Sequence, residues 1–148
     1  MIVAAVIGGL LSLTTPDDPL AVLPCAVAAF FEPGSSTLSD DAIRRFTWGY
    51  LSDFGVIANP RAEISIAGIA TDGGSEARNR RLVVRRERTV RNLLVARGMR
   101  PDQISVGPRE QMLLTYPLSS TNGRAVVLEV RIPNSVIVRV MPPGGPIC

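Results

Sequence analysis

At 148 residues the chain is long enough for one domain with a buried core, and its 46% hydrophobic and 20% charged content is that of a globular protein and not a disordered one. All sixteen basic residues are arginine, histidine is absent and only two cysteines occur, which excludes the commonest general base, the commonest zinc ligand and a structural Cys/His zinc site. The net charge of +3 is modest but uneven, with nine arginines from Arg78 to Arg100 against only Glu76 and Glu87.

Residues 2–13 (IVAAVIGGLLSL) form an apolar run. It falls short of the ~20 residues that a membrane-spanning helix needs and suits the hydrophobic region of a signal peptide. A short buried or anchoring segment is the alternative. The breaker-rich TTPDDP that follows ends at Pro19. Residues 1–19 therefore read as an export segment and joint, and residues 20–148 as a single domain. The expected location is the periplasm or cell envelope, with no membrane-spanning segment in the mature chain. Leu23-Pro24-Cys25 bears a slight likeness to a lipoprotein acylation site, although the proline and the strand predicted just after it suit such a site poorly. An exported chain also allows Cys25 and Cys148 to join as a disulfide.

Residues 26–31 (AVAAFF) predict a buried central strand. Glu32-Pro33-Gly34-Ser35-Ser36 turns the chain, and Ser39 ahead of Asp40 and Asp41 predicts an N-cap followed by first-turn acids. Ile43, Phe46, Tyr50 and Phe54 space out the inward stripe of a helix ending near Gly55, while Trp48 is expected to pack or to lie at the surface. From Ala62 onward, Ile64 and Ile66 alternate with Glu63 and Ser65 as in a half-buried strand. Thr71, Asp72, Gly73, Gly74 and Ser75 then suit a tight turn and a helix start. Leu82, Val90, Leu93 and Leu94 recur at helical spacing until Gly98 stops the helix. Arg86 lies four residues from both Leu82 and Val90, so a cation falls on the inward stripe close to the carboxylate of Asp72. Residues 103–106 predict a short strand, residues 107–123 a loop region with 112–116 extended inside it, residues 125–130 (AVVLEV) a strand, and residues 135–141 (SVIVRVM) one more edge strand. The fold class is α/β: a mixed sheet with two main helices on one face, in β-α-β-α-β-β order plus that extra C-terminal strand.

The stretch around the glycine-rich turn resembles the C-terminal, peptidoglycan-binding domain of the OmpA family. That family's pattern runs roughly T-D-x-x-G-x-x-x-x-N-x-x-L-S-x-x-R-A-x-x-V-x-x-x-L, followed by a glycine. Gly74, Asn79, Leu82, Arg86, Val90, Leu94 and Gly98 fall in register without a gap. Phe31, Ser35, Leu38 and Ala42 match the F-x-x-x-S-x-x-L-x-x-x-A with which the family's domain opens, and Asn122-Gly123-Arg124 resembles the basic lead-in to its last strand. The likeness covers roughly residues 26–131. In strict register Thr71 holds the place of the family's aspartate and Asp72 comes one place later, while Val83 replaces a serine and Glu87 an alanine. In the family the aspartate and the arginine clasp the amine and the carboxylate of diaminopimelate in the peptidoglycan stem peptide. The resemblance implies a non-covalent peptidoglycan-binding module of the bacterial cell envelope that needs no cofactor. Its ligand site would be drawn from Asp72, Arg86, Thr71, Gly73, Gly74 and Asn79, with peptidoglycan and other envelope proteins as partners.

Plainer readings stand beside these. Asp72 with Arg86 is either a ligand clasp or a structural salt bridge tying loop to helix, and Asn79 is a loop-bracing amide before it is a ligand contact. Glu87 is expected to be partly exposed or paired with Arg85, Arg88 or Arg91, because an unpaired buried carboxylate costs several kcal/mol. The arginine face is a solvated helix surface, or it attracts an anionic envelope polymer. No nucleic-acid partner is expected, since neither a recognised motif nor a stacking aromatic accompanies the charge. No enzymatic activity is expected either, because Ser35, Ser36, Ser75 and Thr71 have no histidine to activate them. The alternative function is an OmpA-like domain that has lost peptidoglycan binding and serves as a structural or protein-interaction unit.

Overall fold

The longest strand organises the sheet. The structure, a computed structural model, describes residues 18–23, 27–48, 50–115 and 123–140. Strand β5 (Ala125–Pro133) reads AVVLEVRIP and is almost wholly buried, as β-branched and leucine side chains allow in a strand covered on both faces. On one side it pairs antiparallel with β3 (Glu63–Gly68). On the other it pairs antiparallel with two short strands in succession, β1 (Leu20–Val22) beside its C-terminal end and β2 (Val27–Phe30) beside its N-terminal end. Strand β4 (Ile104–Val106) adds to the outer side of β3 in parallel. The helices are α1 (Asp40–Trp48), α2 (Tyr50–Asp53), α3 (Glu76–Ala96), α4 (Arg109–Thr115) and α5 (Asn134–Val140), with a 3-10 turn at Pro101–Gln103 leading into β4.

Strand alternation sorts the two faces of the sheet. Val126, Leu128, Val130 and Ile132 of β5, Ile64 and Ile66 of β3, and Val27 and Ala29 of β2 point to one side. There they share one buried cluster with Phe46 of α1, Leu51 of α2, and Val90 and Leu94 of α3. A mixed sheet with its two main helices on one face is the α/β arrangement expected from the sequence. The second face is covered in part by α4. A Cβ on Gly107 would lie 2.3 Å from Met112 Sδ and 3.2 Å from the Cβ of Ser65, which points away from the main core.

Several local expectations are corrected. The expected central strand at 26–31 is an edge strand where it is described: among the described residues β2 (Val27–Phe30) pairs with β5 alone, and Phe30 is left 51% exposed. Residues 112–115 are not extended, because the chain turns into α4 directly after Pro108, whose carbonyl accepts the Met112 N–H; residue 116 lies outside the described residues. The extra C-terminal strand is instead helix α5. Its place beside the end of β5 is taken by β1, and Asp18 fixes the start of the helix by accepting the Ser135 N–H at 3.0 Å and the Ser135 hydroxyl at 2.5 Å. The first helix is capped by Ser39, whose hydroxyl accepts the Ala42 N–H at 3.1 Å. Residues 1–17, including most of the expected export segment, lie outside the described residues, as do Cys25 and Cys148 and therefore their expected pairing. No described helix is long and apolar enough to cross a membrane.

Candidate functional site

Helix α3 starts where Ser75, in extended conformation, accepts the Arg78 N–H on its hydroxyl, and it stops before Gly98, whose φ of 114° is one that side-chain-bearing residues rarely adopt. Between these ends Leu82, Arg86, Val90 and Leu94 recur every fourth residue and all are buried. Arg86 thus occupies the core-facing stripe, as its spacing predicts, and its side chain has 0% exposure. A guanidinium taken out of water is tolerated only when its donors are matched, and all five N–H groups are. Nε donates to the Ser35 carbonyl at 2.9 Å. Nη1 donates to the Ile69 carbonyl at 3.0 Å and to Asp72 Oδ1 at 2.9 Å. Nη2 donates to the Glu32 carbonyl at 3.3 Å and to Asp72 Oδ2 at 2.8 Å. The guanidinium carbon lies 5.3 Å from the centroid of the Phe31 ring, a cation–π distance. One helical turn on, the Thr89 hydroxyl donates to the Ser36 carbonyl. Helix α3 therefore fastens the loop between β2 and α1 to the loop between β3 and α3.

Asp72 completes this arrangement. Its side chain is 5% exposed, both carboxylate oxygens face Arg86, and Oδ2 also accepts the Gly34 N–H at 2.7 Å. The Arg86 hydrogen bonds hold its pKa below the ordinary 3.8, against the opposing push of burial, with help from the Gly34 N–H and the charges of Arg86 and Arg124.

The remaining predicted residues border the same loop. Thr71 donates its N–H to the Gly123 carbonyl at 2.9 Å and its hydroxyl to the same oxygen at 3.4 Å. That approach requires glycine at 123, where a Cβ would fall 1.7 Å from Thr71 Oγ1. Gly73 and Gly74 are exposed, with φ of 82° and 85°, so the loop passes Asp72 in a conformation natural to glycine. Asn79 lies in the first turn of α3, with its N–H on the Ser75 carbonyl. Two buried side-chain atoms lack a hydrogen-bond partner among the described residues, Asn79 Oδ1 and Arg124 Nε. Arg124 was not among the predicted site residues, yet its charge reaches Asp72 and its neighbour Gly123 holds Thr71. The signal for it in the sequence is Asn122-Gly123-Arg124, the basic lead-in to the last strand.

Glu87 differs from expectation. It is buried, and its partner is neither Arg85, Arg88 nor Arg91 but Arg109 of α4, bonded through Nε to Oε1 and through Nη2 to Oε2, each at 2.7 Å. Oε1 also accepts the Gly68 N–H at 2.9 Å. The hydrogen bond to Glu87 raises the pKa of Arg109. A Cβ on Gly68 would stand 3.0 Å from both Glu87 Cγ and Val83 Cγ1, so the glycine is what lets α3 press this close to β3.

No family model matches the chain, and no curated protein does. Among solved structures, the peptidoglycan-associated lipoprotein from Burkholderia pseudomallei is similar, with a TM-score of 0.49 and 20% sequence identity over 71% of this chain and 89% of that one.

Proposed function

We propose that this domain is an OmpA-like module of the bacterial cell envelope that holds peptidoglycan non-covalently, taking the diaminopimelate end of the stem peptide at the loop between β3 and α3. The observation that carries the reading is two unmatched atoms on the chain segments that border that loop: a buried acceptor, Asn79 Oδ1, in the first turn after it, and a buried donor, Arg124 Nε, whose charge acts on Asp72. Leaving such groups empty costs about 1–3 kcal/mol each, which a ligand presenting both a donor and an acceptor recovers. A zwitterion also matches the neighbouring Asp72–Arg86 pair. Its carboxylate settles between Arg124 and the edge of Arg86 that now faces Asp72, an edge suited to two parallel hydrogen bonds. Asp72 turns to take the ammonium together with Asn79, and the N–H groups of Gly73 and Gly74 line the approach. The expected export segment agrees with an envelope location.

Sedimentation with purified diaminopimelate-type peptidoglycan tests this, with free diaminopimelate as competitor. Wild type sediments and the competitor releases it. Asn79→Ala and Arg124→Gln each weaken binding about tenfold, the equivalent of roughly 1.4 kcal/mol, and neither lowers the urea midpoint. Thr71→Ala has little effect. A second reading has an observation of its own: every Arg86 N–H is already taken within the protein, so the pair is complete as a structural tie without any ligand. If wild type fails to sediment, that reading stands, and the domain is a structural or protein-interaction unit.

A further inference from the structure

The buried stripe of α3 leaves an opposite face in solvent along 21 residues, a length of about 30 Å at 1.5 Å per residue. Arg81, Val84, Arg88, Arg91 and Val95 follow one another on that face at helical spacing, and all are exposed. The only carboxylates of α3 are engaged elsewhere, Glu76 with Arg80 and Glu87 with Arg109. Arg81, Arg85 and Arg88 have no carboxylate partner among the described residues. Between the arginines the face is apolar. Val84 is 46% and Val95 37% exposed, and Val84 with the stems of Arg80, Arg81 and Arg85 lines an open groove of about 360 Å³.

We propose that this face of α3 lies flat on an anionic lipid bilayer. A soluble polyanion would use the guanidinium groups and leave the valines idle, whereas a lipid surface uses both. Planar guanidinium groups take phosphate oxygens in pairs, and exposed aliphatic side chains with arginine stems reach the boundary between headgroups and acyl chains. The absence of stacking aromatics on the face removes the usual grip on nucleic acid. The inner face of α3 is fastened by the Arg86 and Glu87 pairs, so the outer face is presented as one rigid strip. The loop at residues 71–75 precedes the helix and its Asp72–Arg86 contacts lie on the core side, so this inference does not depend on peptidoglycan binding.

Co-flotation of the full chain with vesicles tests the assignment. Binding is expected to phosphatidylcholine vesicles containing phosphatidylglycerol and not to phosphatidylcholine alone, and to weaken as salt is added. Each arginine near an anionic surface contributes roughly fivefold to partitioning, so Arg81→Gln, Arg85→Gln and Arg88→Gln together should lose about a hundredfold. Val84→Gln with Val95→Gln, which removes apolar contact without changing the charge, should weaken binding as well, while both variants keep the wild-type urea midpoint because every changed side chain is exposed. Equal binding to neutral vesicles would assign adhesion to residues 2–13 and overturn the proposal. So would vesicle binding that survives the triple substitution. Valine variants that bind vesicles like wild type, with inorganic polyphosphate competing fully, would mean an unspecific polyanion site and likewise overturn it.

Discussion

Replacing Arg86 with methionine keeps much of the side-chain volume and removes every donor. Asp72, 5% exposed, then keeps only the Gly34 N–H, and the carbonyls of Glu32, Ser35 and Ile69 lose the group that joins them. Removing one member of a buried ion pair costs about 3–5 kcal/mol, because the other charge stays behind unpaired. A domain of this size has a total stability of roughly 5–15 kcal/mol, so the loss is about a fifth of it or more. With a urea dependence of about 2 kcal/mol per molar, the midpoint of unfolding should fall by about 1.5–2.5 M. Arg88→Met, on the exposed side of the same helix, serves as control and should stay within about 0.5 kcal/mol of wild type. The double variant Arg86→Met/Asp72→Asn removes the stranded charge, and should be more stable than the sum of the single losses predicts, by about 1–3 kcal/mol. An Arg86→Met midpoint no lower than that of Arg88→Met would refute the description of Arg86 as the buried tie between the two loops.

Three further outcomes can be measured on the same footing. Because the folded-state pKa of Asp72 is depressed, its contribution to stability is complete above the ordinary value of 3.8 and is lost as pH falls through the folded value; the gap in urea midpoint between wild type and Asp72→Asn should therefore narrow on acidification from neutral pH to below 3.8. Arg109→Ala leaves Glu87 buried with only the Gly68 N–H, and should cost about 2–4 kcal/mol, most of it recovered by adding Glu87→Gln, as thermal unfolding will show. Gly68→Ala forces a Cβ to 3.0 Å from Val83 Cγ1 and 3.1 Å from the Val83 carbonyl, and should cost about 1–3 kcal/mol by overpacking, read from the same denaturation curves.

What could be read in the sequence depended on whether the deciding partner lay nearby in the chain. Helix α3 was legible because its cap, its stripe and its closing glycine are all local, and the spacing of Leu82, Arg86 and Val90 placed the cation on the inner face before any partner was known. The carbonyls that surround Arg86 have no such signature, since backbone acceptors carry no residue type. Residues 26–31 are apolar enough for a central strand, but apolar content does not say whether both edges of a strand are paired, and among the described residues β2 has a partner on one side only. In residues 135–141 the β-branched composition favoured a strand, yet the place next to β5 went to β1, and burial of Ile137 with partial burial of Val136 settled a helix. Glu87 was misjudged for a related reason. Its partner stands 22 positions away on α4, in a stretch that reads from the sequence as a loop with an extended segment at 112–116.

Arg86 and Glu87 are adjacent, opposite in charge, and attached to consecutive residues of the chain as it leaves β3. The Ile69 N–H bonds the Ala125 carbonyl of β5, so by alternation the Gly68 N–H points to the other side of β3. There β4 has already ended, opposite Ile66. That N–H would be stranded, and Glu87 accepts it. The carbonyl of the following residue, Ile69, is taken by Arg86. The exit of β3 is thereby clamped on both its donor and its acceptor, and Arg109 neutralises the carboxylate that does half of the clamping. A small residue at position 87 could not perform this role, which gives a physical reason for glutamate there in a chain that has α4 to supply the cation. Arg86 is held by three main-chain carbonyls besides Asp72, whereas Asp72 is held by one main-chain N–H besides Arg86 and is followed directly by two glycines. If a ligand exchanges into this pair, the part that moves is Asp72 with Gly73 and Gly74, and Arg86 stays where the fold has put it.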